Sequence, residues 1–223
     1  ITKSYAQKNY EYLYMLINRS AKFSVFLALV LMIPIIMHID TILGVWLVEV
    51  PLHANNFVTM ILIYTAVEGF ISPLLVALLA TGKIKNYEIG ITIVYILNIL
   101  SIYVFFKFGS NPEMAFVLNI IFKIIVLLFI LYQSKLQFHF PIKMFLKDAM
   151  LRPIAISLIG LILIVFYNKI IGKTTIVSFL VSCVLTEIIL MATIWFYGMS
   201  CSERGFIKET IINKIKRKNQ DVS

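Results

Sequence analysis

Six apolar runs, at residues 23–39, 57–79, 89–106, 114–132, 154–171 and 176–197, take up more than half of the chain. Each is 17 to 23 residues long, and a helix needs roughly 17–25 apolar residues to cross about 30 Å of hydrocarbon. Barrel strands are shorter and alternate polar with apolar side chains, which none of these runs does. Because a backbone in lipid must pair its own polar groups, the runs predict an all-α fold. It is a polytopic transmembrane helical bundle of six spans. Composition closes the other routes. Of 223 residues, 61% are hydrophobic and only 14% charged, against about 45–50% and 25% in globular chains. The charges bunch into short stretches that do not cover a soluble surface. A soluble enzyme, a disordered region and a disulfide scaffold are all excluded. Cys183 and Cys201 alone build neither a disulfide framework nor a paired-cysteine metal site.

The basic residues orient the spans. The formal net charge is +9, but Lys and Arg fall between the runs and form no stripe with interleaved aromatics, so lipid is the expected partner and not nucleic acid. One face collects Lys3, Lys8, Arg19 and Lys22 before the first span and Lys83 and Lys85 after the second. It also takes Lys135, Lys143, Lys147 and Arg152 after the fourth, and the tail from Arg204 to Lys218. The other face has Lys107, Lys169 and Lys173. Lysine and arginine accumulate in short cytoplasmic loops, so both termini are expected to be cytoplasmic. Residues 1–22 form a basic amphipathic segment, 23–197 the membrane domain and 198–223 a basic tail. Between the fourth and fifth spans, Phe138, Ile142, Phe145, Leu146 and Ala149 recur near helical spacing. Residues 138–152 are therefore expected to be an interfacial helix at the headgroups, the plainer alternative being a polar loop with one helical turn. The chain opens on Ile1 with a polar, tyrosine-rich stretch, and is expected to be part of a longer protein.

Several motifs carry nothing. Gly82-Lys83 and Gly172-Lys173-Thr174 lack the glycine five positions upstream that a phosphate-binding loop requires, since Ala77 and Tyr167 stand there. His38, His53 and His139 have no carboxylate or thiolate at ligand spacing, so no metal or other cofactor is expected. The outer loops, 40–56, 107–113 and 172–175, are short and poor in acids and bases. A membrane-embedded sugar polymerase is unattractive on that ground, and transport is favoured over catalysis.

The informative residues are the polar ones inside the runs. Glu68, Lys123 and Glu187 lie near the middle of the second, fourth and sixth spans, and Asn98 near the middle of the third. Asn119 and Lys123, four apart, share one stripe of the fourth span. A central Lys or Asp costs about 2.5–3.5 kcal/mol on insertion scales, so such groups face a bundle interior or a watery cavity. Two readings follow. In one, Lys123 meets an anionic cargo, Asn98 and Asn119 supply hydrogen bonds, and Glu68 titrates or pairs with Lys123. In the other, Lys123 and Glu68 form a structural ion pair, or Lys123 snorkels outward along its stem. Glu187 carries less, because Ser178, Ser182 and Thr186 run beside it as helix-helix glue. Pro34 and Pro73 interrupt the first two spans, and Pro73 lies a turn and a half beyond Glu68, where a bent helix serves a moving cavity.

Three segments resemble a known family. They are Ile1-Thr2-Lys3-Ser4-Tyr5-Ala6 before an amphipathic stretch, Ile42-Leu43-Gly44-Val45-Trp46-Leu47 with Pro51, and Ala80-Thr81-Gly82-Lys83-Ile84-Lys85. Together with the order of spans and loops they resemble the C-terminal half of Wzx-type oligosaccharide flippases. These belong to the MATE-like multidrug/oligosaccharidyl-lipid/polysaccharide exporter superfamily. The resemblance implies a partial C-terminal lobe, facing a missing N-terminal lobe across a central cavity. The implied function is movement of undecaprenyl-pyrophosphate-linked oligosaccharide across the cell inner membrane during polysaccharide or lipopolysaccharide synthesis. It further implies coupling to an H⁺ or Na⁺ gradient, with Lys123 and Glu68 placed in the cavity by position. The alternatives are a MATE-type multidrug or cation exporter, and a non-transporting membrane subunit of a polysaccharide-synthesis complex.

Overall fold

The computed structural model describes residues 1–170, 176–205 and 209. Every regular element among them is helical. In chain order these are α1 (Thr2–Ala6), α2 (Tyr10–Met37), α3 (Ile39–Trp46), α4 (Ala54–Leu79), α5 (Lys85–Lys107) and α6 (Glu113–Phe138). A short α7 (Ile142–Met144) leads through a π-helical turn at Phe145–Met150 into α8 (Leu151–Ile170), and α9 (Ile176–Thr193) ends in a second π-helical turn at Ile194–Gly198. Among the described residues, five helices are long and apolar enough to cross a membrane: α2, α4, α5, α6 and the stretch Phe179–Gly198. The chain is a helical membrane bundle. Where a fifth span was expected at 154–171, α8 covers all but the last residue, yet it is not among those five. The expected outer loop at 172–175 and most of the tail beyond residue 205 lie outside the described residues.

The packing order is set by α4, which lies between α2 and α6; α5 leans on α6, and α8 and α9 lie against α2. The closeness of α2 and α4 rests on Gly69, where an added Cβ would meet Val25 Cγ2 at 3.0 Å and the Val25 backbone nitrogen at 3.4 Å. Pro34 and Pro73 are both buried within helices that continue through them.

Three expectations change. Residues 1–22 are mostly helical, and from Tyr10 they run without a break into the first span. α2 starts at Tyr10, capped by the Asn9 side chain accepting from the Tyr12 N–H at 3.2 Å, and runs unbroken to Met37. Its buried Leu13, Ile17 and Ala21 stand four apart, a core stripe within a polar-looking stretch. Second, 138–152 is helical from Ile142, and most of its apolar side chains pack inward while Leu146 stays exposed. Phe138, Phe140, Phe145 and Ala149 join the protein core, and Tyr14 donates its hydroxyl to the Phe138 carbonyl at 2.5 Å. His139, with φ of +55°, ends α6 in the left-handed region and turns Phe140 inward. Third, the loop expected at 40–56 holds α3, with Val45, Trp46, Val48 and Leu52 exposed at the end of the bundle. A bare tryptophan there fits a headgroup belt.

Candidate functional site

Four of the six polar or bending residues singled out above converge. Lys123 of α6 reaches across to α4, where its ammonium forms an ion pair with Glu68 Oε2 and lies 4.7 Å from the centre of the Tyr64 ring. One helical turn before Lys123, Asn119 Oδ1 accepts a hydrogen bond from Asn98 Nδ2 of α5 at 2.7 Å. These groups border a cleft of about 410 Å³ lined by Tyr64, Tyr95, Asn98, Asn119 and Lys123, with Met60, Ile61, Phe116 and Phe122. The i, i+4 spacing of Asn119 and Lys123 is what puts both on the side of α6 that meets α4 and α5. The two partners of the ion pair differ in surroundings. The side chain of Lys123 is 8% exposed and that of Glu68 is 40% exposed. The cation is enclosed and the acid has an open side. Asn98 Oδ1 is buried without a hydrogen-bond partner among the described residues, so the cleft holds an acceptor that wants a donor.

Glu187 and Pro73 fall elsewhere. Glu187, half-buried on α9, does not line the cleft. Its neighbours on α9 bind helices together: Ser182 Oγ lies 2.7 Å from His38 Nε2, and Thr186 Oγ1 reaches Met37 Sδ at 3.5 Å. Pro73 is buried within α4 and does not line the cleft. At the end of the bundle beyond the cleft, Glu113 pairs with His53 and accepts from Asn56 Nδ2 at 3.2 Å, tying the start of α4 to the start of α6.

A second polar cluster lies at the basic end of the bundle, and its members were not singled out in the sequence. Lys22 of α2 donates to Glu203 Oε2 at 2.6 Å and lies 2.5 Å from Oε1, with side chains only 4% and 6% exposed. The Ser200 N–H also donates to Glu203 Oε2, at 2.7 Å. Burial alone would raise the Glu203 carboxyl, but the bonds from Lys22 and Ser200, with the Lys22 charge, hold it below the usual carboxylate range. Arg152 Nη1 donates to the Gly198 carbonyl at 3.3 Å, and Arg204 Nη2 donates to the carbonyls of Phe196 at 2.8 Å and Met199 at 3.1 Å. Those carbonyls lie at the end of the π-helical turn, where no further turn donates N–H groups to them, so arginines stand in as donors. One turn before Lys22, the amide of Asn18 is buried with neither Nδ2 nor Oδ1 partnered among the described residues. An unmet buried polar group of this kind costs about 1–3 kcal/mol.

No group of three or more His, Cys, Asp or Glu side chains is poised to hold an ion among the described residues. The chain matches no protein-family model, no curated protein and no solved structure.

Proposed function

We propose that the chain is the C-terminal portion of a flippase. It would move undecaprenyl-pyrophosphate-linked oligosaccharide across the inner membrane for cell-surface polysaccharide synthesis, with the Lys123 cleft as part of the path. The observation that carries this reading is the enclosed lysine lining an aromatic and amide-rich cleft between three spanning helices. A lysine buried in lipid is retained where it meets negative charge, and a pyrophosphate oxygen is such a charge. The amides of Asn98 and Asn119 suit sugar hydroxyls, which donate to a free amide oxygen and accept from an amide N–H. Tyr64, Tyr95, Phe116 and Phe122 offer ring faces on which sugars and prenyl carbons pack.

Glu68 has the geometry of a release switch. While its carboxylate holds the ammonium, Lys123 is neutralised; an ion or proton that takes the open side of Glu68 frees Lys123 for the cargo. One lobe alone has nothing to rock against, so transport belongs to a two-lobe assembly and the chain itself supplies binding. A cation exporter would present an acid to its cavity, whereas here the charged side chain lining the cleft is a lysine.

The test is binding by the chain itself. In native mass spectrometry from detergent, wild-type protein should retain an undecaprenyl-pyrophosphate-linked oligosaccharide at least about tenfold more tightly than undecaprenol, and Lys123→Ala should abolish the difference. Equal retention of the pyrophosphate by Lys123→Ala would sink this assignment.

A further inference from the structure

At the basic end of the bundle, Lys22 is held by Glu203, and Arg152 and Arg204 donate to backbone carbonyls. Another set of basic groups is not engaged in this way. Lys135, His139 and Lys143 border a single pocket of about 400 Å³, whose wall is completed by Phe140, Pro141 and Ile142. All three are exposed, and none makes an ion pair or a side-chain hydrogen bond among the described residues. No carboxylate lines the pocket. The local fold brings the three together. The His139 and Phe140 N–H groups close α6 by donating to the Lys135 carbonyl at 3.1 Å and the Ser134 carbonyl at 3.3 Å. His139 takes the left-handed conformation and Phe140 enters the core, so the chain turns and Lys143 of α7 comes to line the same pocket as Lys135 of α6.

The pocket terminates an apolar stripe of α6. Ile121, Ile124, Leu128 and Tyr132 are all exposed, and with Lys135 they recur every three or four residues, which places the five on one face of the helix. Asn119 and Lys123 lie on a different face, in the cleft against α4 and α5. A helix rises about 1.5 Å per residue, so Ile121 to Tyr132 covers about 17 Å, close to the roughly 15 Å that is half of the hydrocarbon core. The stripe is one leaflet deep, and the three basic groups lie at its headgroup end. Tyr132 stands at that boundary, the level at which tyrosine is favoured. An apolar strip of one leaflet that ends on an uncompensated cationic pocket has the polarity an anionic phospholipid requires.

From this juxtaposition we propose that Lys135, His139 and Lys143 bind the phosphate of an anionic phospholipid whose acyl chain lies along the Ile121–Tyr132 stripe of α6. The two ammonium groups supply charge and three N–H donors each, and the imidazole carries an N–H donor even when neutral. Bonds from an ammonium to a phosphate oxygen are charge-assisted and short. Basic groups near a membrane surface attract anionic lipid one by one; three in one pocket without an acid concentrate that attraction on a single headgroup. The pocket falls within the roughly 300–1,000 Å³ of sites that hold small organic groups, which leaves room for a phosphate with its glycerol. The lipid would brace the end of α6 against α7. The site stands apart from the Lys123 cleft and does not rest on the transport reading.

The experiment uses the delipidated full chain in detergent and native mass spectrometry with four probes. These are phosphatidylglycerol, phosphatidylcholine with the same acyl chains, a phosphatidylglycerol with chains too short to follow the stripe, and inorganic phosphate competing against the first. Long-chain phosphatidylglycerol should bind one per chain, at least about tenfold more tightly than either of the other lipids. Lys135→Gln with Lys143→Gln should weaken it about tenfold, with helix content unchanged by circular dichroism, and Lys135→Arg with Lys143→Arg should retain it. Lys3→Gln with Lys85→Gln removes the same charge from exposed positions outside the pocket and should leave the affinity within about twofold. An equal loss in that control pair would overturn the proposal, because the attraction would then be diffuse surface charge. It also falls if the lipids bind alike, or if inorganic phosphate displaces the lipid at equal concentration, which would make the ligand a free anion. A dimer whose formation excludes the lipid would defeat it too, by giving the stripe to a second copy.

Discussion

The molecule contains two lysine–glutamate pairs that differ in what encloses them. Lys22–Glu203 joins residues 181 positions apart, and both side chains are sealed. Lys123–Glu68 joins neighbouring spanning helices, with the lysine sealed and the glutamate open on one side. Desolvating two charges is repaid only where geometry and extra hydrogen bonds are good. Glu203 has its extra bond from the Ser200 N–H, and Lys22 has both carboxylate oxygens within reach. That pair is a clasp, closing the chain beyond α9 onto α2. The other pair borders a cleft and can exchange partners. The same two residue types therefore make a lock at one level of the bundle and an exchangeable contact at another.

Breaking the clasp should have the largest effect. Lys22→Ala leaves a buried carboxylate without its cation, and removing one partner of such a pair costs about 3–5 kcal/mol. The loss should appear as a lowered midpoint in unfolding by a denaturing detergent. Replacing both partners, Lys22→Met with Glu203→Leu, should recover most of it, because apolar groups of similar volume are often neutral in place of a buried pair. If the double variant is as unstable as Lys22→Ala, the clasp has some further task in holding the chain.

The open pair should be cheaper to break. Glu68→Ala leaves Lys123 enclosed but still over the Tyr64 ring, and the lost acid was only part-enclosed, so a loss of about 1–2 kcal/mol is expected, toward the lower part of the range for an unmet buried group. A loss as large as that of Lys22→Ala would make the two pairs equivalent and remove the basis for exchange at Glu68.

Acid should separate the pairs further. A carboxyl held below its unfolded value in the native state adds stability that is complete above the unfolded value, about 4.3, and is lost as pH falls through the lower native value. Glu203 is held low in this way. The difference in unfolding midpoint between wild type and Glu203→Gln should therefore be constant from pH 7 to about 5 and shrink below about pH 4. A difference that instead grows on acidification would mean that burial outweighs Lys22 and the sign assigned to Glu203 is wrong.

The sequence makes one pair visible and hides the other for a physical reason. Lys123 and Glu68 stand out because a charge in the middle of an apolar run is costly, and Asn98 and Asn119 stand out on the same ground. Glu203 sits among serines and basic residues just past an apolar run, where a carboxylate costs nothing unless the chain folds back, and only tertiary structure brings it to Lys22. Span positions are legible because apolar length is itself the requirement of the bilayer. The start of α2 is less so: the Leu13, Ile17 and Ala21 stripe is diluted by polar neighbours on the other faces. The amphipathic pattern of 138–152 is read correctly as helical with one apolar face, but a pattern cannot say whether that face meets lipid or protein.

The smallest effect should come from the contact that lies between the pairs. Gly69 follows Glu68 on α4 and touches Val25, three residues after Lys22 on α2. Alanine there gains about 0.5–1 kcal/mol of helix preference but overpacks against Val25, a change that costs about 1–3 kcal/mol. A net loss of about 1 kcal/mol is expected from these opposed terms. The overlap falls on the Val25 side chain first and on backbone 0.4 Å farther away, so α2 and α4 move apart slightly. Glu68 is carried on the moving helix, whereas Lys22 and Glu203 are both held on the α2 side. Gly69→Ala should thus be additive with Lys22→Ala within about 0.5 kcal/mol, as for sites without shared partners, and non-additive with Glu68→Ala. Strong coupling to Lys22→Ala would show that the clasp and the exchangeable pair form one mechanical unit, with the spacing of α2 and α4 as the link.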